Sequence, residues 1–139
     1  MINSIAIREQ IIENNDKAHF TNNQVRTKSS TNPYRGWLDY NENEGTFILT
    51  KPGVYRINYN ANVTLNETGQ AILALSVNEK ILDSSITENT IIEPGLYTSV
   101  SSTVLVKVAP YDFLPVSLQN VSEKSITIKD ASITIDKVA

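Results

Sequence analysis

The chain has 139 residues, a formal net charge of −3 and a sequence pI near 5.1. That length suits one domain with its own core, and the twelve Lys and Arg, scattered among fifteen acids, do not form the basic patch that nucleic acid requires. Cys is absent, which excludes a disulfide framework, a thiolate metal site and a Cys nucleophile, and no apolar run is long enough to cross a bilayer as a helix.

Residues 1–15 open the chain ambiguously, since Ile5, Ile11 and Ile12 fit one side of a short helix while Ile5 and Ile7 fit the start of a strand. They are expected to form a loosely attached arm ahead of a domain spanning 16–139. Their basic start and sustained apolar core are both missing, so no signal peptide is read. Over 17–27, Ala18, Phe20 and Val25 predict a first strand bent at a polar Asn22-Asn23 pair, and 28–35 is a Ser, Thr and Asn-rich loop around Pro33. Trp37, Leu38 and Tyr40 then make a short strand, 41–45 an acidic turn and 46–50 a second short strand, together a hairpin.

The clearest element is 52–64. From Tyr55 onward Tyr55, Ile57, Tyr59, Ala61 and Val63 alternate with Arg56, Asn58, Asn60, Asn62 and Thr64. The period is two, and the recurring Asn would weaken a helix. Beyond a turn at 66–69, Ala71, Leu73, Leu75 and Val77 alternate with Ile72, Ala74 and Ser76, and Asn78-Glu79 predicts a two-residue reversal into 80–82. Residues 83–95 are the longest irregular stretch, with Ile91-Ile92 as a short edge strand or a loop packed on the core. A strand over 96–108 ends in Val104, Val106 and Val108, a turn covers 109–112, and 113–119 aligns Leu114, Val116 and Leu118, with Pro115 at an edge or unpaired position. Ile126 and Ile128 share one parity and Ala131, Ile133 and Ile135 the other, which a bulge near Lys129-Asp130 would reconcile. Roughly eight to ten short strands with evenly spaced turns predict an all-β sandwich or jelly roll.

Catalysis finds little support in the residue inventory. His19 is the sole histidine, and no Gly-x-Ser-x-Gly nucleophile motif accompanies it. The acidic run 39–45 places oxygen ligands at alternate positions, yet its Gly falls one place late for an EF-hand and Thr50 occupies the position of the bidentate acid, so an Asx-type turn is the better reading. No cofactor and no metal is expected.

The order of the pieces resembles the C1q-like and tumour-necrosis-factor-like jelly rolls, in particular the bacterial C1q-like heads of spore-surface filament glycoproteins. The resemblance is carried by Tyr40-Asn41 to Gly45-Thr46-Phe47, by Pro52-Gly53-Val54-Tyr55 leading into the central strand, and by Leu75-Ser76-Val77-Asn78. It continues in the valine-rich 103–108 before Pro110-Tyr111-Asp112-Phe113, where Tyr111 stands in place of the family's Gly, and in the closing strand 131–138. It implies a ten-stranded jelly roll assembled as a compact homotrimer, with one sheet facing the threefold axis. Carried over strand by strand, it places Arg56, Asn58, Asn60, Asn62, Ser101, Thr103, Leu105 and Lys107 at the trimer interface.

Two functions are compatible with that assembly. One is a non-enzymatic structural knob on a spore coat, virion or cell surface, whose partners are its own copies and a surface or coat protein. The other is a lectin-like or receptor-binding head that gains avidity from three sites and contacts a glycan or receptor through loops 28–35, 83–95 and 109–112. Tyr34 and Tyr111 on those loops, and Tyr97 at the edge of 83–95, are the expected ligand contacts, while Trp37 is assigned to the core. Neither reading involves nucleic acid or membrane insertion.

Overall fold

Period-two patterning becomes strand over most of the described residues of the computed structural model, which are 2–6, 9–20, 22–25, 38–41 and 43–139. In chain order the first strands are β1 (Ile2–Ala6), β2 (Gln10–Ile12), β3 (Asn22–Val25), β4 (Leu38–Asn41), β5 (Thr46–Leu49) and β6 (Gly53–Thr64). They are followed by β7 (Gly69–Val77), β8 (Lys80–Ile81), β9 (Thr87–Ile91), β10 (Thr98–Val108), β11 (Leu114–Asn120) and β12 (Ile126–Lys137). A single 3-10 turn at Asp83–Ser85 is the only helical element among the described residues. Two antiparallel sheets result. Sheet A runs β10-β6-β12-β1-β3, with β2 also on β12, and sheet B runs β4-β5-β11-β7-β8, with β9 also on β7.

The core lies between the sheets. Tyr55, Ile57, Tyr59, Ala61 and Val63 of β6 are all buried, with Leu73 and Leu75 of β7, Val104 and Val106 of β10 and Ile133 of β12, as the alternation predicts. The parity break in β12 is a bulge: pairing with β6 shifts between Lys129 and Ser132, and Asp130 takes a positive φ of 50°. The shift turns Ile126 and Ile128 inward together with Ala131, Ile133 and Ile135. At Asn78 and Glu79 both φ values are positive, 53° and 65°, which is the two-residue turn that matches strand twist. Pro115 pairs with Ile48 of β5 at a level that β7 does not reach, so its missing N–H leaves no gap in the β7 ladder.

Two turns show why their residues are needed. The Asn41 side-chain oxygen accepts the Asn43 and Glu44 backbone N–H groups at 3.0 and 3.3 Å, so the acidic run is an Asx turn. Gly45 follows it at φ 64°, and a Cβ there would lie 2.5 Å from the Ala18 carbonyl oxygen. That close approach lets 17–20 lie against the β4–β5 hairpin, where the Tyr40 hydroxyl accepts the Phe20 N–H at 2.9 Å and the Phe20 and Phe47 rings meet at 5.8 Å.

Three features differ from the sequence expectations. Residues 1–15, set apart above as an arm, supply strands to sheet A: β1 pairs with β12 and β3, and β2 pairs with β12. Their partner lies at the other end of the chain, so no local pattern shows it. The buried Asn120 fastens this segment by donating to the Ile12 carbonyl at 2.8 Å and the Lys124 carbonyl at 2.9 Å. The bent strand expected over 17–27 is instead an isolated bridge at Lys17 and the separate β3. In 83–95 the short edge strand is the alternative that forms, but as β9 it begins at Thr87 and ends at Ile91, so more of the stretch is regular than the apolar pair suggests, and it pairs with β7. Trp37, Gly36 and the loop 28–35 lie outside the described residues.

The sandwich has two distinct ends. Connections 50–52 and 109–113 close one, and connections 65–68, 92–97 and 121–125 close the other. The 12 residues of β6 separate them by about 35 Å.

Tyr59 ties the sheets together through polar contacts. Its phenol donates to the Ser85 carbonyl, and the same oxygen lies 3.3 Å from the Leu73 carbonyl and 2.9 Å from the Thr87 hydroxyl. Burial raises the phenol's pKa above 10.0. Unfolded Tyr59 therefore ionises first, and folding stability falls as pH rises through 10. Tyr59→Phe is expected to lower the unfolding free energy by about 1–3 kcal/mol at neutral pH, and the denaturant midpoint with it, because a buried carbonyl loses its donor. It should also flatten the decline above pH 10; an unchanged midpoint and slope would show that these bonds do not stabilise the fold.

Candidate functional site

The outward residues of β6 and β10 meet in register. Arg56 pairs with Leu105, Asn58 with Thr103, Asn60 with Ser101 and Asn62 with Ser99, while Lys107 lies opposite Val54. Directly paired residues on antiparallel strands project from the same face. All eight residues assigned to self-association by resemblance thus share one surface, the outer face of sheet A. On the other flank of β6, Ser132, Thr134 and Asp136 of β12 lie opposite Asn60, Asn58 and Arg56 and widen that surface. These three and Ser99 were not named from the sequence. The alternation of 131–136 held the signal for the β12 residues, but the bulge conceals which parity faces out until register is known.

Most of the polar groups on this face are engaged within the chain. Arg56 pairs with Asp136 at 2.9 Å. The Asn58 amide donates to the Thr103 hydroxyl at 2.7 Å and the Ser102 carbonyl at 3.3 Å. Asn62 accepts from the Ser99 hydroxyl at 2.8 Å and donates to Asp130 at 3.5 Å. These lateral bonds hold the side chains flat along the sheet. Asn60, between them, makes no side-chain hydrogen bond among the described residues, and its carboxamide projects into a polar groove of about 510 Å³ lined also by Ser99, Ser101 and Asp130. Leu105 adds an apolar side chain to the same face at 65% exposure.

The expected ligand-contact tyrosines do not form one site. Tyr97 and Tyr111 flank opposite ends of β10, about 35 Å apart, and Tyr34 lies outside the described residues. Tyr97 packs on its own domain: its phenol donates to Glu9 at 2.8 Å, and the Lys129 ammonium sits 4.1 Å from the ring centroid. Burial, and then Glu9, raise its pKa above 10.0. Tyr111 is fully exposed and holds φ at 63°, in the left-handed region that the family's Gly would occupy without strain. The 109–112 turn nevertheless closes, with the Asp112 N–H bonded to the Ala109 carbonyl at 3.2 Å. His19 is exposed, and its backbone is bracketed by the Gln10 carboxamide through two bonds of 2.9 Å. No group of three or more His, Cys, Asp or Glu that could hold a metal ion occurs among the described residues.

This arrangement of two sheets defines a C1q/TNF-like jelly roll. Among solved structures it is similar to the globular domain of zebrafish complement 1qA protein, with 14% identity, 99% of this chain and 96% of that chain covered, and a TM-score of 0.64. It is equally similar to Eiger TNF from S. frugiperda, with 12% identity, coverage of 100% and 92%, and a TM-score of 0.64. No family model and no curated protein sequence matches the chain.

The left-handed Tyr111 yields a signed expectation. A non-Gly residue in that region costs about 1–2 kcal/mol, which exceeds the added unfolded-state entropy of Gly, about 0.4–1 kcal/mol. Tyr111→Gly is therefore expected to leave stability unchanged or raise it by up to about 1.6 kcal/mol in chemical denaturation. A clear loss would show that the Tyr111 side chain contributes to the fold.

Proposed function

We propose that this chain is a non-enzymatic head module that assembles as a homotrimer through the outer face of sheet A and serves as a knob at a surface or filament end. A spore coat, a virion or a cell surface is the setting this reading favours. The observation that carries it is the outer face itself. Arg56, Asn58 and Asn62 are held flat by lateral bonds, and Asn60 and Leu105 are presented outward between them. A pre-ordered polar face can meet its own copies with little further loss of side-chain entropy, and Asn60 carries the donor and acceptor that a neighbouring copy would complete. The C1q/TNF-like fold supports the same choice of face. His19 as sole histidine, without a nucleophile motif, supports a non-enzymatic role.

A specific observation favours the second reading, a recognition head. Tyr111 is a fully exposed aromatic held in a strained backbone conformation, and such outliers concentrate at binding sites. In a trimer three copies of its loop would surround one end and multiply a weak contact.

Sedimentation equilibrium at micromolar concentration is expected to give three times the chain mass of 15.4 kDa; the monomer mass would refute the assembly. Asn60→Leu on a solvated face should change stability by no more than about 0.5 kcal/mol. On a shared axis the same change, present three times, should shift the monomer–trimer equilibrium well beyond that. For the recognition reading, Tyr111→Ala is expected to abolish signals on a glycan array while the oligomer mass is kept. Retained signals, or none from the unaltered protein, would leave the structural knob as the better account.

A further inference from the structure

The two ends of the sandwich are opposite in charge, and each displays exposed apolar side chains. At the 109–113 end, Tyr111 is fully exposed and Phe113 is 60% exposed. Lys51 and Lys107 stand beside them with no ion-pair partner among the described residues, and the Lys137 ammonium donates only to the Ala139 carbonyl at 2.9 Å. Of the nearby acids Asp136 is neutralised by Arg56 at 2.9 Å, and Asp112, which accepts the Phe113 N–H at 2.9 Å, keeps its charge, so the three lysines outweigh it. The 92–97 end has the reverse character. Ile92 is 81% and Leu96 58% exposed there, and Glu13, Glu93 and Glu123 are exposed without an ion-pair partner among the described residues. Its lysines are already engaged, Lys124 with Glu67 at 3.1 Å and Lys129 over the Tyr97 ring at 4.1 Å.

Both apolar tips are held rigidly. Pro94 and Gly95, the latter at φ 84°, form a turn closed by the Leu96 N–H to the Glu93 carbonyl at 3.1 Å, and the Gly95 N–H anchors it to the Leu65 carbonyl at 3.1 Å. Tyr111 is fixed by its own closed turn. A tip that does not need ordering on contact loses less entropy when it binds.

From this complementarity we infer that the acidic, aliphatic end formed by Ile92, Leu96, Glu93 and Glu123 docks onto the basic, aromatic end formed by Tyr111, Phe113, Lys51 and Lys107 of a second copy. The chain then stacks end to end. Because the two surfaces differ, the contact is heterologous, and translation along the strand axis does not close it, so the product is an open linear array rather than a dimer. The long axis of β6 and β10 becomes the array axis. This contact does not require a trimer, and of the outer face of sheet A it uses only Lys107, at the end of β10. If the unit is a trimer, three copies of each patch act together.

Two doubly substituted proteins test it, Tyr111→Ser with Phe113→Ser and Ile92→Ser with Leu96→Ser, each checked for an unchanged thermal transition. Should Phe113→Ser impair folding, Tyr111→Ser alone takes its place. For the unaltered protein at low ionic strength, light scattering is expected to show a mass that rises with concentration without a plateau. It should fall in 1 M salt, where the Debye length is about 3 Å. Each substituted protein alone should remain at the base unit, monomer or trimer. Their equimolar mixture should give two base units and no more, since only one intact pair of ends remains. A mass fixed at the base unit, a plateau at twice that unit for the unaltered protein, or a mixture that does not pair would overturn the inference. The base unit is measured independently, so a monomeric result would count against the trimer and leave this test intact.

Discussion

The register of β6 against its two neighbours is the constraint on which the rest of the structure depends. β6 is paired along nearly its whole length, with β10 on one side and β12 on the other. Because side chains alternate, that single register decides at once which residues enter the core and which form the outer face. A slip of one residue would turn Tyr55, Ile57 and Tyr59 to solvent and bring Arg56, Asn58 and Asn60 between the sheets. Burial of one Val, Leu, Ile or Phe side chain is worth about 1.5–3 kcal/mol, and desolvating an unpaired polar group costs about 1–3 kcal/mol, so both terms oppose the slip at every position.

The bulge in β12 is what keeps that register compatible with an apolar inner face on both strands. Without the extra residue near Asp130, either Ile126 and Ile128 or Ala131, Ile133 and Ile135 would face outward. Polar side chains then join the layers where backbone ladders stop: Tyr59 bonds across to the 3-10 turn and β7, Ser85 accepts the Leu75 N–H at 2.7 Å, and Asn120 holds the first strands to the closing connection. Each is buried and satisfied, which is the condition under which a polar group in a core stabilises it.

The same fold separates three surfaces with different chemistry. The outer face of sheet A is a flat array of amides and hydroxyls, one end is aromatic and basic, and the other is aliphatic and acidic. A jelly roll does not by itself specify what it binds. Here the strand direction sets the outer-face array along β6, β10 and β12 and the two charged ends at their termini, with Lys107 at the corner that the face and the basic end share.

The sequence by itself determined much of the sheet structure, because alternation is a local property and β6 displays it without interruption. It also determined the Asn78-Glu79 reversal, the Asx turn at Asn41 and the need for a bulge near Lys129-Asp130, each set by residues within a few positions of one another. Arg56, Asn58, Asn60 and Asn62 were readable as one face for the same reason. Their alignment with Ser101, Thr103, Leu105 and Lys107 came only with the resemblance, since strand order is not written in either strand. Only the tertiary structure decided that β1 and β2 belong to sheet A, that Ser132, Thr134 and Asp136 extend the outer face, and that Tyr97 and Tyr111 stand at opposite ends. Those outcomes rest on pairings between distant parts of the chain, where a strand of three to five residues carries too little pattern to name its partner and the choice is made by the apolar surface that pairing removes from water.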